Sequence, residues 1–144
     1  MRYAVDASVA ARFLLNEELS DKAAKVLEDF LSGKVELLAP SLVVYEVGNT
    51  LWKAVRRGLV SEEDALESFA EFLKLGLWRE LEVEEELEAL RWGSRNDSTY
   101  YDSAYVSMAG SEGAVLLTAD DRLEKKAKTS VRVLHLRDYG EWKA

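Results

Sequence analysis

The sequence contains no cysteine, no glutamine, one proline and one histidine in 144 residues. Without cysteine there are no disulfides, thiol nucleophiles or cysteine-containing zinc sites, which is compatible with a reducing compartment. The single histidine, His135, cannot build a histidine metal site, and its apolar strand pattern VRVLHL favours a packed or edge side chain over a catalytic one. No apolar run approaches the roughly 18 residues of a membrane span. We therefore expect a cytoplasmic protein with neither a signal peptide nor an anchor.

The net charge of −8 is unevenly distributed along the chain. Residues 61–100 carry 4 basic and 12 acidic side chains, whereas the segments before and after them are balanced. That stretch contains two amphipathic helix patterns, SEEDALESFAEF and EVEEELEAL, with acidic solvated faces. The net charge thus argues against a broad basic footprint for nucleic acid, but it does not describe the rest of the surface.

Strand and helix patterns alternate along the chain. A length of 144 residues predicts a single domain over 1–144. The strand patterns are RYAVDA, VELLA, LWRELEV, AVLLTA and VRVLHL, and the third is weak and typical of a sheet edge. Five strands joined by helices predict a parallel sheet of the α/β class with helices on both faces. In such sheets the ligand crevice lies beyond the carboxyl ends of the strands.

Two aspartates follow buried strand patterns and precede helices. Ser8 can cap the helix after Asp6, which leaves Asp6 free to project into the crevice. Asp121 and Glu124 have capping-box spacing, so we assign the cap to Asp121 and the ligand role to Asp120. The two adjacent acids cannot be separated with certainty from the sequence.

Two further acids lie in the early turns of predicted helices, and each has a structural alternative. Asp102 stands three residues after Thr99, the spacing of a capping box. Glu46 belongs to a polar stripe that by default faces solvent; its other members are Asn49, Thr50, Lys53 and Arg57. All four acids nevertheless converge on one predicted edge of the sheet, where a hard cation such as Mg²⁺ or Mn²⁺ would explain them together.

The segments around these acids resemble a known family. VDAS, YEVGNTLWKA, YYDSAYVSMA and LLTADDRL, which contain Asp6, Glu46, Asp102 and Asp120, are similar to the ordered acidic motifs of PIN-domain ribonucleases. Their order and spacing, and the chain length, are particularly similar to the VapC toxins of type II toxin–antitoxin modules. The resemblance covers essentially the whole chain, and the four motifs are specific together although none is specific singly.

The resemblance implies a three-layer α/β/α fold with strand order 3-2-1-4-5 and a metal-dependent endoribonuclease that hydrolyses RNA. It implies Asp6, Glu46, Asp102 and Asp120 as catalytic and metal-binding residues. Ser8, Asn49 and Thr118 are implied as supporting polar residues. It further implies a homodimer and a partner antitoxin that blocks the site.

The residues that contact the substrate are less well defined by the sequence. Basic side chains near the acids can contact phosphates or simply solvate a face; they are Arg12, Lys53, Arg56 and Arg57. Tyr100 and Tyr101 can stack on unpaired bases, but we favour core positions for them. We expect the tryptophans to make core and dimer contacts; they are Trp52, Trp78, Trp92 and Trp142.

Two other classes of protein compete with a nuclease. A catalytically silent PIN-like module would bind RNA or protein, and the intact set of four acids argues against it. A phosphoacceptor receiver domain is also a parallel α/β fold that uses Mg²⁺, but it requires an acidic pair after the first strand and a lysine after the last. Here Ala7 follows Asp6, and the last strand pattern runs into Arg137. The sequence leaves open which RNA is cut, whether one or two ions bind, and whether they are Mg²⁺ or Mn²⁺.

Overall fold

Five parallel strands form one sheet in the order β3-β2-β1-β4-β5, which confirms the predicted fold class and strand order. The computed structural model describes residues 1–141. The strands are β1 Arg2–Val5, β2 Glu36–Pro40, β3 Trp78–Arg79, β4 Val115–Thr118 and β5 Val133–His135. The helices are α1 Ala7–Ala11, α2 Ser20–Leu31, α3 Leu42–Arg56, α4 Glu62–Lys74, α5 Val83–Asn96, α6 Tyr100–Glu112 and α7 Asp121–Ala127.

The two central strands set the position of the acids. β1 and β4 are buried almost throughout, as expected for apolar runs that are covered by helices on both faces. Their register pairs Val5 with Leu117, and the backbone N–H of Asp6 donates to the carbonyl of Leu117 over 3.3 Å. Asp6 and Thr118 therefore leave the sheet side by side at its carboxyl edge.

The outer strands are short. β3 contains only Trp78 and Arg79, paired with Ala39 and Pro40, which confirms the weak edge strand predicted for this segment. Short edge strands limit the row of unpaired backbone groups that another chain can extend.

Helix α6 is inserted between the sheet and α5. Every residue from Ser103 to Ala109 is buried, so its hydrophobic residues follow no single stripe. Gly93 of α5 permits the close approach, because a Cβ atom there would lie 2.6 Å from Oγ of Ser103 and 2.8 Å from the carbonyl oxygen of Ser98. This contact fixes the turn before α6, and with it Asp102, at the edge of the sheet.

An ion-pair network ties β3 to the helices. Arg79 forms a bidentate ion pair with Glu85, in which Nη1 donates to Oε1 at 2.8 Å and Nη2 donates to Oε2 at 2.9 Å. Nη2 of Arg79 also donates to Oε1 of Glu112 at 2.7 Å. Glu112 also pairs with Arg2, over 2.7 Å. Glu85 is only 6% exposed, and the hydrogen bonds from Arg79 lower its pKa to about 2. The network therefore holds a nearly buried charge for which Arg79 is the only ion-pair partner within residues 1–141.

The predicted positions of the aromatic residues are only partly confirmed. Trp92 is buried, as expected of a core residue, whereas Trp52 and Trp78 are exposed. Tyr100 and Tyr101 are also exposed, so the core positions favoured for them are wrong. Both lie in the first turn of α6, before its buried segment begins. Trp142 lies outside the described residues.

Along residues 1–141, no helix has the length and apolar character needed to cross a membrane.

Candidate active site

Asp6 lies at the carboxyl end of β1 and is 4% exposed. Its Oδ1 accepts hydrogen bonds from Oγ of Ser8 at 2.5 Å and from the backbone N–H of Val9 at 3.2 Å. Its Oδ2 accepts from Oγ1 of Thr118 at 2.5 Å. Burial raises the pKa of Asp6 to about 6 even though these three donors oppose the shift, and the charge of Asp120 adds to it. The polypeptide thus holds an acid where its ionised form is costly.

The predicted cap of the first helix is wrong. Asp6, not Ser8, is the N-cap of α1, since its carboxylate accepts the N–H of Val9. The Ser8 hydroxyl instead donates to Asp6 and accepts the backbone N–H of Ala119 at 2.9 Å. Ser8 therefore joins the ends of β1 and β4, and one aspartate combines a capping role with a place in the crevice.

The same correction applies at β4. Asp120, not Asp121, caps α7, because its Oδ1 accepts the backbone N–H groups of Arg122 at 2.9 Å and Leu123 at 3.2 Å. Asp121 is the first helical residue, and its carboxylate contacts Arg137 at 3.2 Å. Oδ2 of Asp120 takes no part in these hydrogen bonds and can face the crevice. Asp120 therefore stays the predicted site acid, but the reason for preferring it, that Asp121 caps the helix, is wrong.

The other two acids approach the same edge from helices α6 and α3. Asp102 is half-buried in the first turn of α6, which Thr99 caps by accepting the Asp102 N–H at 3.1 Å. Burial and then the charge of Asp120 raise the pKa of Asp102. Glu46 is also half-buried; burial raises its pKa, and the charge of Asp102 adds to the shift. Glu46 therefore does not belong to a purely solvent-facing stripe.

Tyr105 is a member of the site that sequence reasoning missed. Its buried hydroxyl donates to Oε1 of Glu46 over 2.6 Å and so joins α6 to α3. Asp102 and Tyr105 are three residues apart and share one face of α6, a spacing that could have pointed to it. A tyrosine in an apolar helix is nevertheless indistinguishable from a core residue until its partner, 59 residues away, is known.

The four carboxyl groups lie at one edge of the sheet as a row of neighbours, although no three of them place ligand atoms within 4.8 Å of one another. Mutual repulsion links Asp6 to Asp120, Asp120 to Asp102 and Asp102 to Glu46. None of the four acids forms an ion pair with a lysine or arginine among residues 1–141. Asp6 is buried and the other three acids are half-buried, and Asp102 feels nearby positive charge from Lys126 and Arg122. Carboxylates with free oxygen lone pairs in such surroundings fit a hard divalent cation such as Mg²⁺ or Mn²⁺.

A second cluster, of Asp121, Glu124 and His135, fits a cation less well. It is the only group of three acids or histidines in residues 1–141 whose ligand atoms lie within 4.8 Å of one another. Nδ1 of His135 accepts the backbone N–H of Arg137 at 3.1 Å, so the neutral ring carries its proton on Nε2, which then cannot bind a metal. Nε2 lies 2.8 Å from Oδ1 of Asp121 without the alignment of a hydrogen bond.

The guanidinium of Arg137 already supplies the positive charge of this second cluster, at 3.2 Å from Asp121 and 3.1 Å from Glu124. His135 itself is buried at the end of β5. This confirms the packed histidine that the strand pattern favours.

A groove of about 550 Å³ extends from Glu46 along α1 and α3. Among the predicted substrate-binding residues, Arg12 and Lys53 line it, whereas Arg57 does not. Arg56 instead lies 5.1 Å above the ring of Trp52. Asn49 lines the groove and makes no hydrogen bond to Glu46 within the described part of the chain. The groove therefore offers a route for a polymer past Glu46, the one site acid that lines it in the described part of the chain.

A protein-family model described as PIN domain matches residues 3–129. The chain belongs to the PIN-domain family. This PIN domain is 39% identical over 130 residues to ribonuclease VapC3 of Pyrobaculum aerophilum, which covers 88% of this chain and 95% of that protein. It is 32% identical over 106 residues to exonuclease VapC9 of the same organism, which covers 74% of this chain and 78% of the relative.

Solved structures agree with this assignment. The crystal structure of PAE2754 from Pyrobaculum aerophilum matches with a TM-score of 0.68 and 31% identity, over 95% of this chain and 93% of that one. VapBC2 from Rickettsia felis, bound to a DNA fragment from its promoter, matches with a TM-score of 0.71 over 94% of this chain and 98% of that one. At 16% identity the second likeness concerns the fold alone. Together with the curated relatives, these matches place the chain in the VapC group of PIN domains.

Proposed function

We propose that this PIN domain is a metal-dependent endoribonuclease that hydrolyses RNA phosphodiester bonds in the cytoplasm as the toxin of a toxin–antitoxin pair. One observation carries the proposal: four carboxyl groups from four separate elements lie beside one another at the carboxyl edge of the sheet, and none of them forms an ion pair with a lysine or arginine of residues 1–141. Relatives named as a ribonuclease and an exonuclease support the same chemistry.

The acids divide into different roles by their environments. Asp102 and Asp120 carry oxygens that no donor of residues 1–141 uses, so they would be the most available metal ligands. Glu46 would offer Oε2, and Asp6 would offer Oδ2, which also accepts the Thr118 hydroxyl. When bound, Mg²⁺ or Mn²⁺ supplies Lewis acidity towards the phosphate and water of lowered pKa as the nucleophile. Both ions prefer such oxygen ligands.

Neighbouring side chains hold the acids in position. Ser8 and Thr118 fix both oxygens of Asp6, and Tyr105 fixes one oxygen of Glu46. Such outer contacts orient ligands and tune their affinity for metal. Arg12 and Lys53 line the groove and supply positive charge for phosphates of the substrate.

The test is cleavage of a mixed RNA pool and of a closed circular RNA by purified protein in Mn²⁺, in Mg²⁺ and in excess chelator. We expect metal-dependent cutting of both substrates by wild type and a loss of more than about 100-fold in Asp102→Asn. Asp21→Asn, which changes an exposed aspartate of α2, is the matched control and should cut like wild type. Cutting of linear RNA alone would assign an exonuclease, and no cutting with any metal would favour a catalytically silent binding module.

A separate prediction concerns Tyr105→Phe, which removes the hydroxyl that holds Glu46. We expect about tenfold lower activity and a higher Mn²⁺ concentration for half-maximal activity, because Glu46 loses its fixed orientation. Mn²⁺ binding measured by calorimetry should weaken in parallel. Tyr139→Phe is the control, since it removes a similar 2.7 Å hydrogen bond to Asp29 outside the site. An equal loss of metal affinity in both variants would contradict a specific role for Tyr105.

The proposal also includes a homodimer and an antitoxin partner. Structural neighbours of this chain include DNA-bound VapBC from Salmonella typhimurium, whose 15% identity bears on the fold alone. Large apolar side chains on α3 and α4 are exposed, among them Trp52 and Leu66. Exposed apolar surface of this kind supports association with a second chain.

A further inference from the structure

Two tyrosines stand on the walls of the groove beside the acids. Tyr45 is 75% exposed and Tyr101 is 59% exposed, and both line the groove together with Glu46. Each tyrosine immediately precedes a site acid in its helix, Tyr45 before Glu46 and Tyr101 before Asp102. Two separate helices therefore present an aromatic ring to the same space, next to the carboxylates.

Neither ring is explained by packing or by hydrogen bonding. The core contacts that usually account for a tyrosine are missing at these exposures. Among the described residues only Tyr105 and Tyr139 hydrogen-bond through their hydroxyls. The faces of Tyr45 and Tyr101 are thus available to a planar ligand.

Two cations line the groove, Arg12 and Lys53, and Arg12 Nε lies 4.0 Å from Oε2 of Glu17, which lines the groove as well. The guanidinium of Arg12 is held by the carbonyl oxygens of Ser8 at 2.7 Å and Glu18 at 2.8 Å, so little further side-chain entropy is lost when it binds an anion. Aromatic faces beside cations are the combination that binds an unpaired nucleotide, because the ring stacks on the base and the cation attracts the phosphate.

We propose that Tyr45 and Tyr101 form a nucleobase-binding subsite that stacks on an unpaired base of RNA and positions the adjacent phosphate beside Glu46. This inference rests on the proposed nuclease function. Bases inside a duplex stack on one another and do not expose their faces, so a fully paired RNA cannot fill the subsite. Stacking is tolerant of sequence, since every base has a π face, and the subsite therefore selects strandedness more than base identity.

The experiment combines tyrosine variants with abasic RNA. A single-stranded oligonucleotide with a mapped cleavage position, and versions with one abasic nucleotide on either side of it, are cut by wild type, Tyr45→Leu and Tyr101→Leu. We expect each leucine variant to raise KM about tenfold with kcat within about threefold of wild type. An abasic nucleotide should raise the KM of wild type. It should raise the KM of one of the leucine variants little further, because that variant has already lost the ring on which the base stacks. Tyr45→Phe and Tyr101→Phe keep the ring and should restore most of the affinity.

Tyr100→Leu is the matched control, because Tyr100 is exposed in the same turn but does not line the groove. Its KM should equal that of wild type. In chelator, fluorescence anisotropy with the same labelled oligonucleotide should show about tenfold weaker binding by the leucine variants, and weak binding of a duplex by all proteins.

Cleavage by wild type with unchanged KM in both leucine variants would overturn the subsite and leave the nuclease standing. Abasic and leucine effects that simply multiply would also overturn it, because independent losses mean that the base and ring do not touch. If wild type cuts nothing, the nuclease is wrong, and the anisotropy comparison alone then decides the subsite.

Discussion

Asp6→Asn is expected to abolish RNA cleavage and, at pH 7 without divalent metal, to raise the melting temperature by roughly 5–10 °C. Burial raises the pKa of Asp6 from 3.8 to about 6, so its ionised form opposes folding. This difference in pKa between the unfolded and folded states lowers the free energy of unfolding by about 3 kcal/mol at neutral pH. Asparagine removes the charge while its amide oxygen still accepts the N–H of Val9. The site therefore trades stability for function.

The pH dependence follows from the same shift. The folded state binds the Asp6 proton more tightly than the unfolded state, so the free energy of unfolding falls as pH rises from about 4 to about 6. Asp102 and Glu46, whose pKa values are also raised by burial, change stability in the same direction. Urea denaturation between pH 4 and pH 7 measures this slope, which should be shallower in Asp6→Asn. Mn²⁺ should stabilise wild type more than the variant.

Asp29→Asn is the control for the first prediction. Asp29 is also nearly buried, but the Tyr139 hydroxyl and the Lys25 ammonium lower its pKa, so the ionised form favours folding. Its replacement should destabilise the protein at pH 7. A lower melting temperature in Asp6→Asn at pH 7 would mean that the hydrogen bonds from Ser8 and Thr118 outweigh the cost of burial.

Arg79→Met is expected to lower the free energy of unfolding by about 3 kcal/mol at pH 7. The reason is the carboxylate of Glu85, which is 6% exposed and loses both hydrogen bonds from Arg79, its only basic partner in the described part of the chain. The folded pKa of Glu85 is about 2, below its usual 4.5, so its contribution is present above pH 4.5 and is lost as pH falls towards 2. In Arg79→Met this loss at low pH should be much weaker. Urea denaturation at pH 7 and pH 3 measures both effects.

Two further variants separate this network from surface charge. Arg2→Met removes an exposed arginine that pairs with Glu36 and Glu112, and should cost less than about 1 kcal/mol. Adding Glu85→Gln to Arg79→Met removes the stranded charge and should recover part of the loss. If the free energy of unfolding lost in the double variant equals the sum of the losses in Arg79→Met and Glu85→Gln, the two residues do not act as a pair.

The sheet and the four acids could be predicted because both depend on local patterns. Buried parallel strands appear as continuous apolar runs, and their carboxyl ends mark one edge, so Asp6 and Asp120 are visible in the sequence. The predicted caps of α1 and α7 are wrong because Asp6 and Asp120 each have two roles: each caps a helix and also faces the crevice. Whether one aspartate has both roles depends on where its two oxygens lie, and the spacing of residues along the sequence does not determine this.

Contacts between distant elements lay beyond the reach of the sequence. Tyr105 reads as one more apolar helix residue until α3 places Glu46 against its hydroxyl. Core positions are favoured for Tyr101 because aromatic side chains are usually buried, yet the first turn of α6 lies at the surface, before the buried segment begins. In both cases tertiary packing, which depends on Gly93 and the α5 contact, decides the outcome.

The pairing of β1 with β4 also sets when activity can arise. Asp6 and Thr118 lie 112 residues apart along the chain but are joined by one hydrogen bond in the central strands. A ribosome that adds about 5–20 residues per second needs roughly 6–20 s to span that interval. The first acid of the site is thus among the earliest residues synthesised and waits for almost the last strand. Under the proposed nuclease function, we therefore expect the nascent chain to lack activity until translation is nearly complete.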